Sequence, residues 1–223
     1  MTNFLLDGCL ELPAAGKGPG ALVLHAWWGL NPFFRDLCQR LAQNGFVAFA
    51  PDLYHGKTAS TIDEAKGLRS KLNQQKAFAE IIRAAETLSA HEALTNKSIA
   101  VIGFSLGARF ALELSVAKPE FIRTVVAFYG ASRLDYAPSQ AAYLGHFAET
   151  DPWLAASGVK KLEKSLRAAG RPATLHTYPG TGHWFFESDR AEAFDLEAAQ
   201  LAWERTLEFL EPHGTIRAKE NRQ

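Results

Sequence analysis

Only two cysteines, Cys9 and Cys38, occur in 223 residues. Two thiols cannot staple a secreted disulfide scaffold, and they suit a reducing cytoplasm. Neither has a recognisable activating neighbour, so both are expected to be inert. Net charge is also missing, since 24 basic residues balance 24 acidic ones. That balance gives no reason to expect a nucleic acid or an anionic membrane as partner. No stretch approaches the roughly 20 apolar residues of a membrane-spanning helix. The opening segment has no basic stretch and its apolar run stops at Asp7, so no secretory signal is expected there. Metal and dinucleotide patterns are absent as well. His91-Glu92 lacks a second histidine four residues on, two distant cysteines make no zinc site, and no G-x-G-x-x-G follows a strand. No cofactor and no metal is expected.

What remains is an ordinary globular composition, 47% apolar and 22% charged, on a length that fits one α/β domain over 1–223 with a frayed charged tail at 213–223. Apolar runs predict strands at Phe4–Leu12, Ala21–Ala26, Phe46–Ala50, through Ile99–Ile102, and at Thr124–Phe128, Ala141–Phe147 and Ala173–Tyr178. Between them, helical spacing predicts a helix opened by Asn31-Pro32 and two more within residues 61–91. Further helices are predicted at Ala108–Ala117, Pro152–Ala169 and Arg190–Leu210. Alternating strands and helices imply a mostly parallel sheet covered on both faces.

One stretch carries chemistry. Ile99-Ala100-Val101-Ile102 runs into Gly103-Phe104-Ser105-Leu106-Gly107, and a helix follows. That is the G-x-S-x-G elbow in its strand–turn–helix setting, with a serine at the corner. A serine hydroxyl needs a general base, and the base needs an orienting acid. The order expected in this topology is Ser, then acid, then His, each on a loop after a strand. Asp151 follows one strand and His183 follows the last, inside Gly180-Thr181-Gly182-His183. Glu149 and Asp135 are alternative acids at this stage. Oxyanion donors are expected at the backbone N–H of Leu106 and, from the loop after the early strand, of Trp27. Trp27, Tyr54, Phe104, Trp153 and Trp184 are the candidates for lining an apolar pocket. The connection from Tyr129 to Ala141, about a dozen residues, is too short for a cap domain.

With these residues laid out, the chain resembles the dienelactone hydrolase family of the α/β-hydrolase fold over about residues 4–211. The most specific stretches are Trp28-Gly29-Leu30-Asn31, Pro51-Asp52-Leu53-Tyr54, the elbow, the Asp151 loop and Gly182-His183. The resemblance implies that Asp151, not Glu149, is the acid. Three positions depart from the family pattern. The family carries G-x-C-x-G where Ser105 stands, a glutamate where Ala26 stands, and a substrate-binding arginine where Glu187 stands. A serine with its own His–Asp pair has no thiolate to manage, so the first two changes agree.

The implied activity is a serine hydrolase of small carboxylic esters or lactones. Two alternatives are a ligand-binding or sensory protein that keeps the fold, and a thioesterase, peptidase or perhydrolase using the same three residues. Glu187, taken as a pocket residue, is expected to repel anionic substrates and so to favour neutral esters.

Overall fold

The apolar runs at Gly18–Leu24 and Val47–Pro51 are buried along their whole length, which requires cover on both faces of the sheet they join. A computed structural model describes residues 7–211. The expected tail at 213–223 and the start of the first predicted strand lie outside the described residues. In chain order the elements are β1 (Gly8–Glu11), β2 (Gly18–Leu24), α1 (Pro32–Gln43), β3 (Val47–Pro51), α2 (Ile62–Lys71), α3 (Gln74–Ser89) and β4 (Leu94–Phe104). They continue as α4 (Leu106–Ala117), β5 (Ile122–Phe128), β6 (Ala142–Thr150), α5 (Ala156–Ala168), β7 (Ala173–Gly182) and α6 (Leu196–Leu210). One sheet holds the seven strands in the order β1-β3-β2-β4-β5-β6-β7. Among the described residues only the β1–β3 pairing is antiparallel.

Alternate residues of each strand feed opposite cores. Ala21 and Val23 of β2 join Phe34, Leu37 and Leu41 of α1 and Ala202 of α6. Leu22 and Leu24 join Ile81 and Leu88 of α3, Phe110 and Leu114 of α4, and Leu162 of α5. Asn31 caps α1 as expected, accepting the Phe34 N–H at 3.3 Å, with Pro32 opening the helix. No helix among the described residues is long and apolar enough to cross a membrane. Between β5 and β6 there is no helix or strand, and among the described residues no cap domain covers the sheet.

Several boundaries differ from the sequence reading for local reasons. β2 starts at Gly18 inside the glycine-rich turn, because a Cβ there would lie 2.0 Å from the Gly45 carbonyl oxygen and glycine alone permits the approach. β7 runs on to Gly182, paired with Thr150 beyond a bulge. α5 begins at Ala156, not Pro152, since the Asp151 carboxylate takes the N–H groups of Trp153 and Leu154 at 2.8 and 2.9 Å. α6 begins at Leu196, where Asp195 supplies the cap at Ala198 N–H. Arg190 to Phe194 form turns instead.

The strand order sets β4, β5, β6 and β7 side by side with their carboxyl ends aligned. Ser105, Asp151 and His183 follow three of these strands. The tightest contact behind them is at Gly107, where a Cβ would lie 2.1 Å from the Leu24 carbonyl oxygen. Gly107→Ala is expected to cost about 3 kcal/mol of stability through forced displacement of backbone. Gly67→Ala, inside α2 with nothing within 4 Å of the added Cβ, should instead add about 0.5–1 kcal/mol. Urea titration of the two variants checks the contrast, and equal midpoints would contradict it.

Candidate active site

Ser105 is the corner residue between β4 and α4, with φ 51° and ψ −106°. The left-handed φ is costly for any residue with a Cβ, on the order of 1–3 kcal/mol. It persists because backbone bonds hold the corner on both sides. The Ser105 N–H donates to Phe128 O at 2.9 Å, and Arg109 N–H returns to Ser105 O at 3.2 Å. The hydroxyl makes no capping bond to α4. It lies 3.0 Å from His183 Nε2.

His183 follows directly on β7, and its Nδ1 is 2.7 Å from Asp151 Oδ2. A carboxylate only accepts, so Nδ1 carries the proton and Nε2 is left to accept from Ser105. The other Asp151 oxygen, Oδ1, is held by the Trp153 and Leu154 N–H groups. The imidazole and carboxylate side chains are 3% and 4% exposed, so bulk water does not compete for their mutual bond. The other two acids are elsewhere. Glu149 accepts the Gly180 N–H and Asp135 the Ala137 N–H.

The cavity over Ser105 has a volume of about 380 Å³. Trp27, Leu106, Trp153 and His183 border it. As the first residue of α4, Leu106 has no carbonyl four residues back within the helix to accept its N–H. Trp27 stands three residues past β2, on the neighbouring strand end. An arrangement of this kind can move one proton between a hydroxyl and an imidazole.

Four of the expected pocket residues lie elsewhere. Phe104 is completely buried in the core, stacked on Phe128 at 4.5 Å, because it is the strand's last inward residue. Tyr54 borders a different cavity with Leu53 and Lys71. Trp184 is buried behind the wall, with its ring centroid 6.0 Å from that of Trp27, 5.1 Å from Trp28 and 5.0 Å from the imidazole. Glu187 is fully buried and accepts the Tyr129 hydroxyl proton at 2.6 Å. It faces no substrate. Arg190 does not reach the cavity either; its guanidinium lies 4.1 Å from the Trp28 ring and donates to Ser60 O and Asp189.

Among the residues that border the cavity without having been expected there are Arg69, Arg109 and Tyr129. Arg109 is one helical turn past Ser105, so its spacing alone places it on the same face of α4. Arg69, at the end of α2, has no local signal. Arg109 donates to Gln74 at 2.6 Å and sits 3.5 Å from a Glu113 oxygen. Arg69 has no acidic partner among the described residues. His25 carries no sequence signal of its role. Its Nδ1 donates to Ala26 O at 2.6 Å and its Nε2 accepts the Leu53 N–H at 3.3 Å. It therefore ties the Trp27 loop to the loop after β3, and burial lowers its pKa, which keeps it neutral.

Burial pushes the Glu187 carboxyl up to about 8, with the Tyr129 bond opposing and Asp189 reinforcing the shift. The folded chain thus keeps a proton that the unfolded chain loses near 4.5, and stability falls as pH rises between those two values. Glu187→Gln is expected to be more stable than the native chain at pH 8.5, with the advantage shrinking to nothing by about pH 4. Thermal unfolding across that range checks it. A difference independent of pH would rule the neutral carboxyl out.

A profile of the dienelactone hydrolase family matches residues 6–214. The chain is 31% identical to protein usf of Aquifex pyrophilus over 217 residues, covering 93% of this chain and 94% of that one. It is 32% identical to a carboxymethylenebutenolidase of Pseudomonas sp. strain P51, covering 93% and 91%. In fold it is similar to a thermophilic esterase of Thermogutta terrifontis, with TM-score 0.72 at 18% identity over 95% and 89% of the two chains. It is also similar to a dienelactone hydrolase-like promiscuous phosphotriesterase from metagenomic libraries, with TM-score 0.80 at 20% identity over 90% and 88%. Family, fold and site agree on hydrolysis of esters or lactones: the chain belongs to the dienelactone hydrolase family.

Proposed function

We propose that Ser105, His183 and Asp151 are the catalytic triad of an esterase or lactonase working through an acyl-serine. The reading rests on one observation, the unbroken chain from Ser105 Oγ to His183 at 3.0 Å and on to Asp151 at 2.7 Å. Ser105 Oγ attacks the substrate carbonyl while its proton passes to His183 Nε2. The carbonyl oxygen becomes an oxyanion facing the Trp27 and Leu106 N–H groups. Collapse breaks the bond to the alcohol, which leaves with the proton from Nε2. Water then repeats the sequence on the acyl-serine, giving up its proton to His183 and releasing the acid. Asp151 orients the ring and stabilises the imidazolium formed twice in each cycle. The whole chain is read as one domain, and its two buried free thiols fit a cytoplasmic setting.

The structure changes the expectation for substrate charge, since Glu187 is turned away from the cavity. Arg69 and Arg109 border it, and Glu113 offsets only one of them. The Pseudomonas relative is named for a lactone that carries a carboxyl group. We therefore assign this chain an ester or lactone bearing an anionic group, held against the two guanidiniums, with its uncharged part on Trp27 and Trp153.

Two experiments test these assignments. A fluorophosphonate should label the protein once, on Ser105, and His183→Ala should lower kcat by on the order of 10³-fold or more. Labelling at Cys9 or Cys38, or a His183→Ala variant with a tenth of native activity, would remove the triad. For charge, phenyl acetate is compared with the same ester carrying a para carboxylate on its ring. The carboxylated ester should be the better substrate by kcat/KM, and Arg69→Gln should cut its advantage about tenfold, roughly 1.4 kcal/mol of transition-state binding. An advantage unmoved by the substitution would refute the role of Arg69.

A further inference from the structure

Two consecutive residues at the end of β5 meet the two halves of the reaction centre. Phe128 O accepts the Ser105 N–H at 2.9 Å. Tyr129, the next residue, sets its ring 4.8 Å from the His183 imidazole. Its hydroxyl donates to Glu187 Oε1 at 2.6 Å, and Glu187 lies four residues beyond His183. The Glu187 N–H returns to Trp184 O at 2.9 Å, so the carboxyl moves with the loop that carries the histidine. Tyr129 has φ 38°, a strained conformation for a ring-bearing residue that only surrounding contacts can enforce. Its N–H is fixed to His146 O at 2.7 Å, and its ring also packs on Phe185. Phe104 and Phe128 also meet the ring, and Glu187 holds its hydroxyl.

We infer that Glu187 is a positioning residue for His183 that acts through Tyr129. The buried hydroxyl–carboxyl bond fixes the ring backing the imidazole and thereby sets the approach of His183 Nε2 to Ser105. This deepens the triad reading and rests on it. The acid's own charge has no part in the device: a neutral carboxyl accepts the Tyr129 proton as an amide oxygen would. The second carboxyl oxygen, Oε2, is buried without a partner, so an amide group in its place breaks no existing hydrogen bond. The charged groups acting on Glu187 are Asp189 and Arg190 on its own loop, and those acting on Tyr129 are Glu187, Asp189 and, across the site, Asp151. A misplacement of about 1 Å at a reacting group can cost on the order of 10²-fold in rate, so a modest loosening of the ring is measurable.

Four variants test the inference with p-nitrophenyl acetate: Tyr129→Phe, Glu187→Ala, the two combined, and Glu187→Gln. Tyr129→Phe removes one atom and keeps the ring, so it remains informative if Glu187→Ala folds poorly. Tyr129→Phe and Glu187→Ala are each expected to lower kcat about tenfold with KM within about twofold, and the double variant to be no worse than either. Glu187→Gln should restore kcat to within about twofold of the native chain at pH 7. Fluorophosphonate labelling rates should follow the same order, because they report the nucleophilicity of Ser105 without turnover. Native rates in Tyr129→Phe, a loss confined to KM, or failure of Glu187→Gln to rescue would each overturn the positioning role. If the native chain itself is not labelled on Ser105, the triad reading fails and takes this inference with it. Labelling of the native chain with unaffected variants defeats the positioning role alone.

Discussion

The site depends on how closely α4 can approach the sheet just after Ser105. Gly107 lies against the carbonyl oxygens of Leu24 and His25, and Gly103 against the carbonyl of Gly107 itself. A side chain at either glycine would push the helix outward, and the corner would open. With the corner closed, Ser105 is forced to a left-handed φ of 51°, its hydroxyl is free of the helix, and Leu106 at the start of α4 borders the cavity. The same contact brings the helix start beside the end of β2, and so next to the Trp27 loop. Nucleophile and both candidate oxyanion donors are therefore placed by backbone packing, before any side-chain interaction is counted.

His183 and Asp151, the proposed base and acid, arrive by a second constraint, the pairing of β6 with β7. Ala148 pairs with Tyr178, a bulge follows, and Thr150 pairs with Gly182. The next residue on each strand is Asp151 on one side and His183 on the other. Extending the ladder past the bulge puts the acid and the base within 2.7 Å. Behind them lies an unusually aromatic support. Trp184 is lodged among Trp27, Trp28 and Trp153, and Arg190 covers Trp28. These rings resist collapse of the wall while adding no ionised group next to the imidazole.

The elements of the fold were legible because β2, β3 and the core of β4 are continuous apolar runs, and because Asn31-Pro32 is a local helix start. Ser105 and His183 were legible because the elbow and the loop after the last strand are positions defined by chain order. Asp151 was favoured by its place after a strand, with Glu149 and Asp135 left as alternatives, and the family resemblance supported it. The pocket was the part that failed. Phe104 and Trp184 are aromatic residues beside catalytic positions, yet side-chain direction sends one into the core and the other behind the wall. Glu187 illustrates the same limit. Its place in the sequence matches a substrate-binding position of the family, but its carboxyl turns to Tyr129, just past the end of β5. Arg69 reaches the cavity from α2 through tertiary packing, which leaves no trace in local spacing.

Electrostatically, the site separates two kinds of buried acid. Asp151 accepts from three donors, the His183 ring and two backbone N–H groups. Glu187 has one donor and is held neutral by burial. In the proposed mechanism the first stabilises charge on the imidazole, and in the inference drawn from Tyr129 the second supports the ring beside it. The most direct test of the central claim is a crystal structure of the fluorophosphonate adduct. It should show phosphorus bonded to Ser105 Oγ and the phosphonyl oxygen about 3 Å from both the Trp27 and Leu106 N–H groups. An oxygen turned away from those two donors, or an adduct on any other residue, would contradict the account.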